Sequence, residues 1–185
     1  MTTWITSDIH LCHKNSINYC PSTRGQFVDV DSMNEYLVRK WNDAVQPDDT
    51  VYILGDIGIG NEKKIIQIVQ RLQGNKILIE GNHDVKLVKN QSFRDCFTEI
   101  HRYHEIYYNK HHIMMFHYPI QRWNLQHHGS IHFHGHLHGD HSGLNGRAID
   151  VGFDATGNVV SKLDGMIEIA LAKTVSPHHG NIGER

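Results

Sequence analysis

The 185-residue sequence is short of several things at once. Its three cysteines, Cys12, Cys20 and Cys96, are scattered and form no Cys-x-x-Cys pair. That excludes a disulfide framework and a thiolate zinc site, and it suits a reducing compartment. Charge of one sign is missing too: 18 Lys+Arg against 20 Asp+Glu leave a formal net charge of -2. A general phosphate-backbone binder would carry a strong basic surplus, so extensive nucleic-acid binding is not expected. No apolar run approaches the roughly 20 residues of a membrane span. The opening "MTTWITSDIH" lacks the basic and apolar regions of a signal peptide. A cytoplasmic protein with no membrane partner is the expectation. Internal repeats and low-complexity tracts are absent as well. What the chain has in abundance is histidine, with 17.

Organisation follows from periodicity. The β-like runs "TWITS", "TVYIL" and "KILIE" lead into Asp8, Gly55-Asp56 and Gly81-Asn82-His83-Asp84. Between the first two lies "DSMNEYLVRKWNDAV", where Met33, Leu37, Trp41 and Val45 share one helix face, with Asp31 or Ser32 as N-cap. Between the next two lies "NEKKIIQIVQRLQG", with Ile65, Ile68, Val69 and Leu72 on one face and Gly74 closing the helix. A βαβαβ first half implies right-handed crossovers and a parallel sheet. The second half is mostly β: two strands around "YNKH", then "SIHFHG" and "RAIDVGF". A last helix follows in "SKLDGMIEIALA", with Ser161 and Asp164 spaced like a capping box. The predicted fold is α/β, two facing mixed β-sheets in a sandwich flanked by helices. It forms a single domain over residues 1–172, with a polar tail over 173–185 in which His178 and His179 are solvated.

The strand ends carry the chemistry. Asp8 and His10 follow the first strand, Asp56 the second, and Asn82 and His83 the third. His117 ends "IMMF", and His136 and His138 follow "SIHFHG". In an α/β sheet, ligands bind beyond the carboxyl ends of the strands. Imidazole, carboxylate and one amide, without thiolate, suit Mn²⁺, Fe, Ni²⁺ or Zn²⁺. The ligands are too many for one ion. Two ions about 3.5–4 Å apart need an anionic bridge between them, and Asp56 is the natural one.

The motifs "DIH", "GD" in "ILGDIG", "GNHD", "FHYP" and "GHLH", in that order, resemble those of the calcineurin-like metallophosphoesterases, and the match runs to about residue 172. The small bacterial and phage members are the most similar. The resemblance implies two divalent metals, one held by Asp8, His10, Asp56 and His138, the other by Asp56, Asn82, His117 and His136. It implies that His83 faces the substrate as the catalytic histidine, with Asp84 its orienting carboxylate. In-line attack on phosphorus by a metal-bridging hydroxide is the implied reaction. His134 could donate to a ligand or to solvent, and His132 is expected to be a plain strand residue. The chain departs from the pattern at Cys12, where Gly is commoner, and in the insertion "PSTRGQFVDVD".

Substrate contacts are less defined. His13 could reach a substrate or stand exposed on its loop. Arg24, from the insertion, could contact a phosphate or be solvated. Trp123 and Tyr118 could stack on a nucleobase or pack the pocket wall. The remaining histidines (His101, His104, His111, His112, His127 and His128) fit no ligand spacing and are assigned to the surface. The chain lacks Gly-Asp-x-x-Asp-Arg-Gly, which argues against serine/threonine phosphatases and symmetrical dinucleotide hydrolases. It has no room for the capping domain of the related nucleases. A phosphodiester or small nucleotide is the expected substrate, because a small domain without a lid leaves an open site. A phosphomonoesterase with the same site, or a catalytically inactive family-fold scaffold, is the alternative.

Overall fold

The computed structural model describes residues 1–140 and 143–175. His178, His179 and the rest of the tail from residue 176 on lie outside them. Strands β1 (Thr3–Thr6), β2 (Thr50–Ile53), β3 (Asn75–Ile79) and β4 (Glu99–His101) run parallel in the order β4-β3-β2-β1. A short β9 (Ser161–Lys162) adds antiparallel to β1. The second sheet begins with a hairpin of β5 (Tyr103–Tyr108) and β6 (His111–Phe116). Its turn residues Asn109 and Lys110 both have positive φ, as a two-residue hairpin turn requires. To β6 are added β7 (Ile131–His134) and β8 (Ala148–Asp150), both parallel.

Hydrophobic burial brings the sheets face to face. Ile5, Leu54 and Ile79 of the first sheet region meet Ile113, Met115, Ile131, Phe133 and Ile149 of the second. The other face of the first sheet is covered by α3 (Val30–Ala44) and α4 (Glu62–Val69). Those helices pack Met33, Leu37, Trp41, Ile65 and Val69 against Trp4, Val51 and Leu78. Helix α7 (Leu163–Leu171) adds Met166, Ile167 and Ala170 to the inter-sheet core. This is the expected α/β sandwich with a βαβαβ first half.

Three local expectations need correction. Helix α3 is capped by Asp29, not by Asp31 or Ser32. Asp29 is extended and accepts from Ser32 N at 2.7 Å, while Ser32 answers as the second half of a capping box. Helix α4 ends at Val69, and Gly74 instead supplies a left-handed turn (φ +89°) into β3. Ser161 does not cap α7. The open edge of β1 captures Ser161 and Lys162 as β9, so the helix starts directly after them without a side-chain cap. Among the described residues no helix is long and apolar enough to cross a membrane.

Two outcomes test this architecture. Phe133 is fully buried between the sheets, and Phe133→Ala is expected to cost about 3–5 kcal/mol in urea denaturation. Asp49 accepts from Thr2 N (2.6 Å), Trp4 Nε1 (3.0 Å) and Gln46 N (3.1 Å), which lowers its pKa. A depressed carboxyl stabilises the fold above its unfolded pKa and loses that contribution as pH falls through the folded value. Asp49→Asn should therefore be less stable than wild type at pH 7, with the gap closing in strong acid.

Candidate metal centre

The ligand motifs sit where strands stop, and the backbone there bends sharply. Asp8, His10, Asp56, His136 and His138 all adopt positive φ, between 52° and 71°. For residues other than glycine this left-handed conformation costs about 1–2 kcal/mol each. It turns the chain out of the pleat, so that Asp8 and His10 both face one rim. Neighbouring glycines make room for the carboxylates. A Cβ at Gly135 would lie 2.0 Å from Ser7 Oγ and 2.2 Å from Asp8 Oδ2, and one at Gly81 would lie 2.3 Å from Asp56 Oδ1.

The side chains converge into two donor sets. Asp8, His10 and His138 form one, with ligating atoms all within 4.8 Å of one another, and Asp56, His117 and His136 form the other. Asn82 joins the second set, its Oδ1 3.0 Å from His117 Nε2. Asp56 links them. Its Oδ1 accepts from His83 N at 2.9 Å, while its Oδ2 lies 3.8 Å from His10 Nε2 and 3.5 Å from His117 Nε2.

These donors fit a divalent cation. Asp8 Oδ1 is buried without a hydrogen-bond partner and lies 3.8 Å from both His10 Nε2 and His138 Nε2. Burial raises the Asp8 pKa to about 6 and lowers that of His10 to about 2. A poorly solvated carboxylate beside neutral imidazoles is the state a metal takes up. His117 Nδ1 donates to Leu54 O at 2.7 Å, which aims its Nε2 at the site.

A family model for calcineurin-like phosphoesterases matches residues 1–140. The chain belongs to that family. An uncharacterized protein of Methanocaldococcus jannaschii is 34% identical over 140 residues, covering 75% of this chain and 70% of its own. The gene 66 protein of Mycobacterium phage L5 is 30% identical, covering 86% of this chain and 90% of its own. The crystal structure of a protein of unknown function from Aquifex aeolicus is 22% identical, with a TM-score of 0.69 over 91% of this chain and 98% of that one. It shares the fold. As a calcineurin-like phosphoesterase, the protein carries out metal-dependent phosphoester hydrolysis.

Other predicted site residues divide. His83 is partly exposed, with its Nε2 3.9 Å from Asp56 Oδ2. His13 lines the adjoining cleft, its ring 5.3 Å from that of His10. Asp84 does not orient His83. It is fully buried, and its oxygens accept from Asp56 N (2.8 Å), Ile57 N (3.0 Å) and Gly81 N (2.9 Å). It therefore braces the two ligand loops, and burial with its own neighbours leaves its pKa raised to about 6. Trp123 is not at the site: it is buried against Met114 and Ala148, with its Nε1 on Ser130 O. Tyr118 is the aromatic there, its ring 4.7 Å from His136 and 5.0 Å from His117. His132 is a buried β7 residue accepting from Ile120 N, and His134 is buried with its Nδ1 on Gly135 O.

Arg24 overturns both of its expected roles, being neither a phosphate contact nor solvated. It is wholly buried. Its guanidinium pairs with both oxygens of Asp154 (2.9 Å each) and donates to Ile9 O (2.9 Å) and Asp8 O (2.7 Å). Asp154 Oδ2 also meets His138 Nδ1 at 2.8 Å, which turns Nε2 toward the donor set, 3.2 Å from His10 Nε2. Burial pushes the Asp154 carboxyl up, but hydrogen bonds from His138, Arg24 and Thr23 and the Arg24 charge together bring it well below the usual range. Sequence reasoning missed Asp154. Its signal was "VGFD", a glycine and an acid just past a strand, as in the other ligand loops. The left-handed Cys12 (φ 62°) explains why glycine is commoner at that position.

Asp154→Asn should keep the fold by circular dichroism while lowering Mn²⁺ affinity about 10–100-fold in titration calorimetry. Unchanged affinity would remove Asp154 from the centre.

Proposed function

We propose that this protein is a dinuclear metal phosphodiesterase acting on small phosphodiesters or nucleotides. The observation that carries it is Asp56 Oδ2, which faces both donor sets at once. One cation would sit with Asp8, His10, Asp56 and His138, the other with Asp56, Asn82, His117 and His136. When bound, such a pair of Mn, Fe, Ni or Zn ions offsets the carboxylate charge, polarises a phosphoryl group and activates water.

The chain's own residues supply the rest. His83 stands at the mouth of the site, beside Asp56 and open to the cleft. It is placed to give a proton to the departing ester oxygen. Its backbone N–H meanwhile fixes the bridging carboxylate, so the Asn82-His83 turn serves both the site and the substrate. Asp84 holds that turn against the Asp56 loop through backbone amides alone. The cleft over the site, about 620 Å³, is lined by His10, His13, Tyr19, His83, His136 and Leu137 among others. That is far more room than an inorganic phosphate fills, and its mixed ring and aliphatic walls suit an organic ester. A purely structural scaffold would have no use for five strained left-handed residues around a buried carboxylate oxygen without a partner, Asp8 Oδ1.

A panel of monoesters, linear diesters and 2′,3′- and 3′,5′-cyclic nucleotides, run with Mn²⁺, Fe²⁺, Ni²⁺ and Zn²⁺, tests this reading. Diester turnover is expected, and a chelator should abolish it. His83→Ala is expected to lower kcat by about 10²–10⁴-fold with metal content unchanged. Turnover of monoesters alone, or a folded protein that takes up no metal, would rule the proposal out.

A further inference from the structure

His83 stands between two clefts. The cleft over the donor sets lies on one side of it, and a second cleft of about 410 Å³ lies on the other. Ile59 and His83 wall both. We infer that the second cleft is a substrate subsite that takes one ester arm, an aryl or nucleoside group, of a linear phosphodiester whose other arm lies in the first. This rests on the phosphodiesterase reading above and narrows its substrate class.

The composition of the second cleft supports an organic occupant. Its floor is Ile65 and Leu87, both buried, and its wall is Val85, an aliphatic side chain left 46% exposed. Asn82, a candidate ligand, sits at its edge beside His83. The cleft is therefore continuous with the chemistry and not a remote depression. Lys86 lies on its lining and makes no ion pair among the described residues. The carboxylate nearest to hand in the same cleft, Glu62, is engaged by the Asn90 amide. An unpaired ammonium beside an apolar floor suits a planar group carrying further negative charge, as the next phosphate of a nucleotide would.

The shape then sorts substrates. A phosphomonoester has one arm and leaves one cleft empty. A cyclic nucleotide carries both ester oxygens on one ribose and cannot place an arm on each side of His83. A linear diester can fill both. Its hydrolysis forms one P–O bond from water and breaks one P–O ester bond. A proton passes to the departing oxygen, so one arm leaves as an alcohol or phenol and the other stays as a monoester.

Val85→Trp and Lys86→Glu, both at exposed positions, test the assignment on the metal-loaded full chain. The readouts are kcat/KM for bis(p-nitrophenyl) phosphate, p-nitrophenyl phosphate and 3′,5′-cyclic AMP, with melting curves to confirm folding. Wild type is expected to favour the linear diester. Val85→Trp should lower its diester-to-monoester ratio about tenfold or more, the scale on which filling an apolar subsite acts. Lys86→Glu should lower kcat/KM for a 5′-phosphorylated dinucleotide, assayed beside these esters, more than for bis(p-nitrophenyl) phosphate, whose arms are uncharged. A wild-type preference for the cyclic or monoester substrate, or a ratio that does not move in folded Val85→Trp, would overturn this inference while leaving a phosphoesterase in place. Absence of turnover on every ester would instead overturn the underlying function.

Discussion

One carboxylate constrains the whole rim. Asp56 must be held with one oxygen tied to backbone and the other aimed between two sets of lone pairs. The structure achieves this with amides: His83 N on Oδ1, and Asp84 gripping the N–H groups of Asp56, Ile57 and Gly81 from below. Placing Asp8, Asp56 and Asp84 together in a desolvated rim is unfavourable in the absence of a cation. The raised pKa values of Asp8 and Asp84, both caused first by burial, express that cost. Two hydrophobic layers offset it by fixing the strand ends from both faces. A bound cation relieves it directly, and so the site's instability and its affinity have one origin.

Much of this was legible in the sequence because its signals are local. An acid or histidine after a short apolar run, with a glycine at its elbow, is a pattern a few residues long. The helix faces of Met33, Leu37, Trp41 and of Ile65, Ile68, Val69 are equally local, and both proved buried. The misreadings have a common cause. Arg24 is buried because Asp154 meets it, 130 residues away along the chain. Ser161 becomes a strand because β1 has a vacant edge beside it. Asp84 is engaged by three backbone amides, of Asp56, Ile57 and Gly81. Each outcome depends on a partner that composition and spacing do not name.

Arg24 also shows what the inserted segment contributes. Helices α1 (Ser16–Tyr19) and α2 (Pro21–Arg24) carry the guanidinium into the rim, where it pairs with the carboxylate of Asp154 and donates to the carbonyls of the Asp8-Ile9 turn. Those carbonyls belong to a backbone already bent into the left-handed region at Asp8 and His10. A buried cation with donors aimed at a carboxylate and two carbonyls keeps that bend in register, and its planar fork makes arginine better suited than lysine. Thus the insertion that looks on paper like a variable loop is part of the centre's support, through His138 on one side and Asp8 on the other.

Beside the donors His10, Asn82, His136 and His138, the clefts are walled by residues from other parts of the fold, and this has a consequence. The donors sit one to four residues past strand ends, where register leaves little freedom. The cleft walls come from the segments around Tyr19, Ile59 and Val85, which follow the ligand loops and carry few ladder hydrogen bonds. Changes there alter what lies beside His83 without moving Asp8, Asp56 or His117. On the proposed function, selectivity among phosphoesters is therefore free to diverge while the chemistry stays fixed. Five short motifs can identify the reaction, whereas on the proposed function the choice of ester depends on the shapes of three loops, set by contacts distant in the chain.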